Sequence, residues 1–402
     1  MKSLKKKLSI KQLLLSNKNW WHFYEKNKQR LRKSITVSIT KLLSCKHKVR
    51  GYYQYECFNP NCLHQKHVIF TCKSKACSSC GKKLTAQWLK KQYQILPNIP
   101  YQHITLTMPS ELWDFFWCNR SLLNEIAKKA AKCIQKIAAK KNVTPGLFIA
   151  IHTFGRNMKR NVHIHLSTTT AGITKDGTQL KNLYFNQNTI MKMWRYEVIQ
   201  LFRKASLTRD FTIPVKLKND FNHSFSFNNF LDKLYKINWI VHCAQQDENY
   251  KRIINYLGSY MKRPPIAESK LRHYDGNNIS FTYFDHKSKT FLKFKLTVEE
   301  FIARFITHIP DIGFRMIRYY GFLSNRLRGT LLPLVHKLLG SYYQKDTVSP
   351  SFAEIMFKDF GVNPLECVLC GEPLRLTATH FGKTSVPELL AVHRQLALLK
   401  NI

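Results

Sequence analysis

The chain has 402 residues, of which 65 are Lys or Arg and only 24 are Asp or Glu, so its formal net charge is +41. Its hydrophobic content of 44% is sufficient to bury the cores of two or three domains. No segment approaches the ~18 consecutive apolar residues of a membrane span, and Lys11 and Gln12 interrupt the N-terminal leucine run before it reaches signal-peptide length. We therefore expect a cytoplasmic protein that does not cross a membrane.

The excess of basic residues predicts a polyanionic partner. These residues are spread along the whole chain and alternate with aromatic residues, which include 26 Phe, 18 Tyr and 7 Trp. Phosphates are bound by cations and unstacked bases are bound by flat rings, so this composition favours a single-stranded nucleic acid. The alternatives are a basic soluble protein of another kind and a protein that binds membrane surfaces.

Residues 1–44 are basic and predicted to be helical, and a cysteine-rich segment follows. We assign this segment to a zinc-binding domain over residues 45–95, because a cysteine cluster in a reducing compartment indicates metal binding rather than disulfides. Its candidate ligands are Cys45, Cys57, Cys62, Cys72, Cys77 and Cys80. The Cys57/Cys62 and Cys77/Cys80 spacings fit those of structural zinc sites.

Two arrangements of the six thiols remain open. In one, four thiolates hold a single zinc ion and Cys45 and Cys72 are left over. In the other, all six hold two ions with help from His47, His64 or His67. Gly81 is predicted to give the knuckle turn after Cys80 its positive φ. The alternative to both is a cluster of buried or reactive thiols.

Five further cysteines lie outside this segment. Cys118, Cys133 and Cys243 are isolated and are predicted to be core residues. Cys367 and Cys370, followed by glycine, resemble half of a second zinc knuckle. Only two histidines follow this pair at a suitable distance, His380 and His393. A structural turn and a part of the surroundings of the first cluster are the alternatives for this pair.

The remaining pattern predicts alternating strands and helices. In chain order these are a strand at 103–108, a helix at 119–141, strands at 148–154 and 162–167, a strand at 238–243, a helix at 250–262 and strands at 279–284 and 291–296, before a helical region at 298–343. The short loop between the second and third strands requires them to pair antiparallel. This order implies an α+β core with an antiparallel sheet over residues 96–300 and a helical C-terminal region over residues 301–402.

His163 and His165 form a candidate metal site in one of these strands. Side chains in a strand alternate between faces, so two histidines separated by one apolar residue share a face and can bind one ion. Catalytic metal sites usually have three protein ligands and keep a position open for substrate. His152, on the neighbouring strand, is the predicted third ligand. An ordinary solvent-facing strand is the alternative interpretation.

Tyr256 and Tyr260 are candidate nucleophiles, because residues four apart on a helix share a face. A phenol has an ordinary pKa near 10 and needs help at neutral pH. The metal, with Lys262 and Arg263, is expected to favour the phenolate. A phenolate that attacks a phosphodiester stays attached to the DNA and keeps the bond energy for rejoining. The alternative is a packed helix face.

Together these motifs resemble the IS91 family of rolling-circle, two-tyrosine transposases, relatives of the Helitrons within the HUH endonuclease superfamily. The resemblance extends over about residues 40–330. The segments that carry it are 74–82 in the cysteine-rich region, 152–156 and 161–165 around the histidines, 255–263 around the tyrosines, and 301–310 and 313–321 downstream. Val162, where the family has Pro, and Met261, where Thr is more usual, depart from the pattern.

The resemblance implies a ferredoxin- or RRM-like HUH core and Mg or Mn bound by the paired histidines. It also implies a 5′-phosphotyrosine at each of Tyr256 and Tyr260, and a bacterial, nucleoid-associated protein acting on single-stranded DNA at element ends. Arg156, Lys262 and Arg263 are the expected DNA contacts. The alternatives are a replication initiator or relaxase of the same superfamily, and a non-catalytic zinc-containing DNA-binding protein. Replication initiators and relaxases commonly carry a fused helicase, and the chain has no phosphate-binding loop of that type.

Overall fold

A computed structural model describes residues 8–221, 224–246, 249–261, 264–285, 288–343 and 351–399, and for Tyr260 it describes the backbone alone. The α-helices in these ranges are α1 (Ile10–Leu15), α2 (Asn19–Asn27), α3 (Lys33–Leu43), α4 (Ser78–Ile95), α5 (Trp113–Cys118), α6 (Leu122–Ala139), α7 (Gln187–Ser206), α8 (Ser224–Lys236), α9 (Tyr250–Met261), α10 (Val298–Thr307), α11 (Arg328–Leu338), α12 (Phe352–Phe360) and α13 (Val386–Leu399). The strands are β1 (Gly51–Cys57), β2 (Gln65–Ile69), β3 (Tyr101–Leu106), β4 (Val143–Phe154), β5 (Arg160–Thr174), β6 (Leu180–Asn182), β7 (Val241–Cys243), β8 (Leu271–Tyr274), β9 (Asn278–Asp285), β10 (Thr290–Thr297), β11 (Ile317–Gly321) and β12 (Leu374–Phe381).

The strands form three antiparallel sheets. The largest has the order β11-β4-β5-β3-β7, with β6 paired to the far end of β5. Two three-stranded sheets have the orders β12-β1-β2 and β10-β9-β8. The prediction of an α+β fold with antiparallel sheets and a cysteine-rich N-terminal region is confirmed.

One face of the large sheet is an apolar core. Ile149 and Ile151 of β4 pair with Leu166 and Ile164 of β5, and all four side chains are buried against α6 and α7. The helix α6 buries residues at helical spacing and presents charged residues to solvent. Burying a side chain of this size stabilises the fold by about 1.5–3 kcal/mol. The packing of α6 and α7 on this face therefore stabilises the sheet.

The opposite face of the sheet is covered by α9 and α4. Ile253 and Ile254 of α9 are buried with Tyr101, Phe148 and Ala150, which lie on β3 and β4. The sequence prediction of a helix over residues 250–262 corresponds to α9, which ends at Met261 before the proline pair. Side chains alternate between the two faces along β4 and β5. One set is apolar and faces α6, and the residues between them face α9.

A separate core lies between the N-terminal helices, α10 and the β10-β9-β8 sheet. Its largest buried side chains include Trp20, Phe281 and Phe301. Met158, at the turn between β4 and β5, is also buried in this core. The turn adjoining the histidine-bearing strands is thus anchored by a neighbouring part of the molecule.

The structure corrects parts of the predicted element pattern. The region 298–343 is not all helical, because β11 adds to the edge of β4, and its Ile-Arg-Tyr-Tyr sequence favours an extended chain. The C-terminal region likewise contains the strand β12 among its helices. Cys118 is exposed, whereas the sequence placed it in a core; Cys133 is buried and Cys243 is half-buried.

No helix within the described ranges is both long and apolar enough to cross a bilayer.

Candidate active site and zinc centre

Three histidines meet on the α9 side of the large sheet. His163 and His165 alternate with apolar residues along β5, and His152 of β4 lies directly opposite His163 in the register. One nitrogen from each imidazole lies within 4.8 Å of the others. The sequence pattern had paired His163 with His165, and strand register brings the predicted third residue, His152, to the same place.

The hydrogen bonds of this cluster define its protonation. His163 Nδ1 lies 3.0 Å from the backbone oxygen of Asn161, which can only accept, so Nδ1 carries the hydrogen and donates it. His163 Nε2 therefore carries the lone pair of the ring, and it lies 3.2 Å from Nδ1 of His152. In histidine metal ligands, the ring nitrogen that does not bind the metal typically donates a hydrogen bond that fixes the tautomer.

Burial keeps these imidazoles neutral. It lowers the pKa of His163 to about 4 and that of His165 to about 2, and the neighbouring histidines lower the pKa of His165 further. The pKa of His152 is also well below its usual range, because the ring is buried among other histidines. Neutral imidazoles are the form that coordinates metal. A divalent ion fits this donor set.

A fourth histidine, His103 of β3, completes the face and was missed by the sequence analysis. Its Nε2 lies 3.2 Å from Nδ1 of His165 and 3.3 Å from the Thr105 hydroxyl, while its Nδ1 lies 3.2 Å from the Ser167 hydroxyl. In the tautomer with Nδ1–H donating to Ser167, the single lone pair of Nε2 can accept a hydrogen from His165 or from Thr105. The sequence did predict a strand that begins at His103. It could not show that this strand lies beside the histidine pair, because strand order cannot be read from local sequence.

Tyr256 of α9 lies over this histidine face. Its ring centroid is 5.0 Å from that of His103 and 6.1 Å from that of His165, and 46% of the residue surface is exposed. The helix is fixed there by Ile253, three residues earlier, which is buried against the sheet. Tyr260 lies one turn further along α9. The phenol of Tyr256 thus has both a histidine neighbour and access to solvent.

The predicted DNA contacts are only partly described. Arg156 lies in the turn between β4 and β5, and its guanidinium donates to the backbone oxygen of Phe284 over 2.7 Å. It therefore also links this turn to β9. Lys262 and Arg263 lie outside the described residues.

Four buried cysteines form the first sulfur cluster, which we call the N-terminal thiol cluster: Cys45, Cys72, Cys77 and Cys80. Sulfur–sulfur distances are 3.7 Å for Cys45–Cys80, 3.5 Å for Cys72–Cys80 and 3.7 Å for Cys77–Cys45. Tetrahedral zinc with sulfur bonds near 2.3 Å requires sulfur separations of about 3.8 Å. The donor set and its dimensions fit a structural zinc ion.

Local geometry in this cluster differs from the sequence prediction. Gly81 is not a positive-φ knuckle residue, because it lies inside α4, whose first turn carries Cys80. The left-handed conformations instead follow Cys45 and Cys72, at Lys46 (φ 56°) and Lys73 (φ 51°). These turns have the conformation that glycine usually supplies.

Cys45 and Cys72 are not left over. All six thiols lie in two clusters, as in the second arrangement, but the second cluster is completed by two further cysteines and not by a histidine. Cys57 and Cys62 lie elsewhere, beside Cys367 and Cys370. Of the two histidines weighed as partners for this C-terminal pair, His380 stacks on Tyr52, with ring centroids 4.5 Å apart. The other, His393, lies beside His47.

Two family models match the chain. One, described as "Putative transposase", matches residues 146–330, which contain the three-histidine cluster and α9. The other, described as "Transposase zinc-binding domain", matches residues 16–108, which contain the N-terminal thiol cluster.

Two relatives align over most of their length. The chain is 35% identical over 376 residues to the transposase for insertion sequence element IS801 of Pseudomonas savastanoi pv. phaseolicola, covering 93% of this chain and 90% of the relative. It is 25% identical over 340 residues to "Putative transposase y4qJ" of Sinorhizobium fredii, covering 81% and 85%. No solved structure matches the chain significantly.

Proposed function

Because the chain belongs to the IS91 family of insertion-sequence transposases, we propose that it cleaves and rejoins single-stranded DNA at element ends with Tyr256 and Tyr260 as nucleophiles. The observation that carries this proposal is the position of Tyr256 over the histidine face, 5.0 Å from His103 between ring centroids. The high positive charge of the chain, +41, supports a DNA substrate.

The chemistry of each cleavage balances within the DNA and the tyrosine. The phenol oxygen forms a bond to phosphorus and the bond from phosphorus to the 3′ oxygen breaks. The phenol loses its proton and the departing 3′ oxygen gains one, which leaves a 5′-phosphotyrosine and a free 3′-hydroxyl. Rejoining is the reverse attack by a 3′-hydroxyl, so no external energy source is required.

His163, His165 and His152 would hold a divalent Mg or Mn ion. Such an ion would supply Lewis-acid polarisation of the scissile phosphate. The three histidines lie on the neighbouring strands β4 and β5, and the Asn161 backbone oxygen orients His163. Their neutrality removes any cost of deprotonating a ligand at neutral pH.

His103 has a positioning role in this proposal. When it accepts a hydrogen from His165 Nδ1, Nε2 of His165 keeps its lone pair for coordination. Burial lowers the pKa of His103 to about 4, so its ring is neutral at neutral pH. Its ring edge against Tyr256 also fixes the approach of the helix to the metal ligands. Lys262, Arg263 and Arg156 are proposed to bind flanking phosphates.

The test is a covalent trapping experiment with the full chain. Labelled single-stranded DNA from the ends of its element is incubated with Mn or Mg, and products are separated on a denaturing gel. A metal-dependent protein–DNA adduct is expected. It should be lost in a Tyr256→Phe, Tyr260→Phe variant, because both phenols are gone, and in a His163→Ala, His165→Ala variant, because the metal ligands are gone.

The matched control is Tyr184→Phe, which changes an exposed tyrosine outside the site and should keep the adduct. Tight DNA binding without an adduct, unchanged in all variants, would refute the tyrosine mechanism. In that case a zinc-containing DNA-binding protein would explain the data better.

A further inference from the structure

The C-terminal cysteine pair meets an N-terminal pair about three hundred residues away in sequence. Cys57 Sγ lies 3.4 Å from Cys370 Sγ, and Cys62 Sγ lies 3.8 Å from Cys367 Sγ. All four sulfurs lie within 4.8 Å of one another. We call these residues the split thiol cluster. Cys367 and Cys370 lie outside the range matched by the zinc-binding family model.

Sheet pairing accounts for this meeting. The strand β12 pairs with β1 from Gly51 opposite Phe381 to Cys57 opposite Leu374. Where these strands end, the backbone N–H of Phe58 donates to the oxygen of Pro373 over 2.9 Å. Each cysteine pair therefore lies in a turn at the same end of the sheet, one after β1 and one before β12.

The two turns have the local features of metal-binding knuckles. Backbone N–H groups of Asn59 and Leu369 donate to the sulfurs of Cys57 and Cys367. Gly371 follows the second pair in a left-handed conformation, with φ at 78°. Lone buried thiols have no need of such donors, whereas metal-bound thiolates do.

The outer contacts are also those of a metal centre. His64 Nδ1 lies 3.1 Å from the Cys367 sulfur, where an N–H can donate to a thiolate. Lys66 of β2 donates to the backbone oxygen of Pro364 over 2.7 Å and holds the segment before the second turn against the β12-β1-β2 sheet. The two sulfur separations, 3.4 and 3.8 Å, are close to the value of about 3.8 Å expected for tetrahedral zinc with four sulfurs.

We propose that Cys57, Cys62, Cys367 and Cys370 bind a second zinc ion, which fastens the C-terminal segment to the N-terminal zinc-binding region. Four thiolates close the coordination sphere, so this ion is structural rather than catalytic. The ion cross-links positions far apart in the chain, which raises the stability of a small three-stranded sheet that has little core of its own.

Zinc content per chain tests the proposal. The measurement is made by inductively coupled plasma mass spectrometry in a His163→Ala, His165→Ala background, so that the histidine site contributes no metal. Two zinc ions per chain are expected. Adding Cys367→Ser and Cys370→Ser should leave one, whereas the matched control with Cys118→Ser and Cys243→Ser should keep two. Unchanged zinc content in the Cys367, Cys370 variant would overturn the proposal, as would a single zinc ion in the background chain.

A second measurement remains decisive if the serine variant fails to fold. Cys370 is exposed, so Cys370→His can replace a thiolate by an imidazole and keep four ligands. Cobalt is substituted for zinc in the background chain and in this variant, and the visible absorption is compared. A change in the bands of one of two bound cobalt ions is expected. Identical spectra would mean that Cys370 is not a ligand.

Discussion

At the level of single residues, burial keeps the histidines in and around the site neutral. In a chain with a net charge of +41, further positive charge in a dry interior is unfavourable, and burial favours the neutral ring. His308 shows this outside the three-histidine cluster. Its Nε2 donates to the Met158 backbone oxygen over 2.9 Å, and its Nδ1 lies 3.2 Å from the Thr153 hydroxyl. It thereby holds the turn that adjoins the histidine-bearing strands.

The stability of the fold should fall in mild acid because of such groups. Burial lowers the pKa of His308 from its ordinary value of 6.5 to about 4. The unfolded chain then binds more protons than the folded chain between these pH values, so stability is full above pH 6.5 and is lost as the pH falls toward 4. For His308 the loss between pH 7.5 and 5.0 is on the order of 1–2 kcal/mol.

A comparison of two variants isolates this contribution. Urea unfolding of the zinc-loaded chain, without added Mg or Mn, at pH 7.5 and 5.0 gives the free energy of unfolding at each pH. His308→Gln should reduce the difference between the free energies of unfolding at the two pH values by about 1–2 kcal/mol. His22→Gln, at an exposed position, should leave it unchanged. An equal pH dependence in both variants would show that His308 does not titrate as expected.

At the level of elements, the helix that carries the tyrosines is held between the sheet and α4. Ile253 and Ile254 pack on the sheet, and Gly258 lies at the contact with α4. A Cβ at Gly258 would lie 2.8 Å from Leu89 Cδ2, 3.2 Å from Leu89 Cγ and 3.4 Å from Trp88 Cζ3. A glycine between the two tyrosines therefore allows the close approach of α9 and α4.

Gly258→Ala should move α9 relative to the histidines, because either Leu89 or the helix must shift. We expect a stability loss of about 1–3 kcal/mol and a rate of adduct formation reduced by about tenfold, since an ångström-scale displacement is costly in catalysis. Single-turnover trapping and thermal unfolding measure the two effects. Gly329→Ala is the control, because no described atom outside its own stretch of chain lies within 4 Å of its Cβ position. Equal rates for both variants would contradict the packing argument.

At the scale of the whole molecule, ion pairs and sheets connect segments that are distant in sequence. Asp311 receives hydrogen bonds from Arg32 of the N-terminal region and from Arg120 beside α6. It borders a cleft of about 650 Å³ that is also lined by Arg315 and Arg318 together with aromatic residues. Cations and flat rings in one cleft suit a single strand of DNA.

Binding of single-stranded DNA should therefore weaken steeply with salt. Each phosphate contact contributes about 0.7 to the slope of log affinity against log salt concentration. Arg315→Ala should reduce this slope by about one contact, whereas Arg209→Ala, at an exposed position near the end of α7, should leave it unchanged. Fluorescence anisotropy at several salt concentrations measures both. A slope that is insensitive to Arg315 would mean that DNA does not use this cleft.

Local periodicity was sufficient for several features of the fold and the site. Alternation in a strand places His163 and His165 on one face, and the short loop that follows β4 places His152 beside them. Helical spacing and the following prolines gave the helix of Tyr256 and Tyr260 nearly to its end. Each depends only on residues close in sequence.

Only the tertiary structure decided the partners that come from distant segments. His103 joins the site because β3 pairs with β5, and the cysteines divide into two clusters because β12 pairs with β1. β11, which the sequence predicted as helix, is a strand because an edge of β4 was available to it. The sequence by itself determined which residue types are available as candidate ligands and candidate nucleophiles. Strand order and register determined which of them meet, because those depend on long-range pairing that a local pattern does not encode.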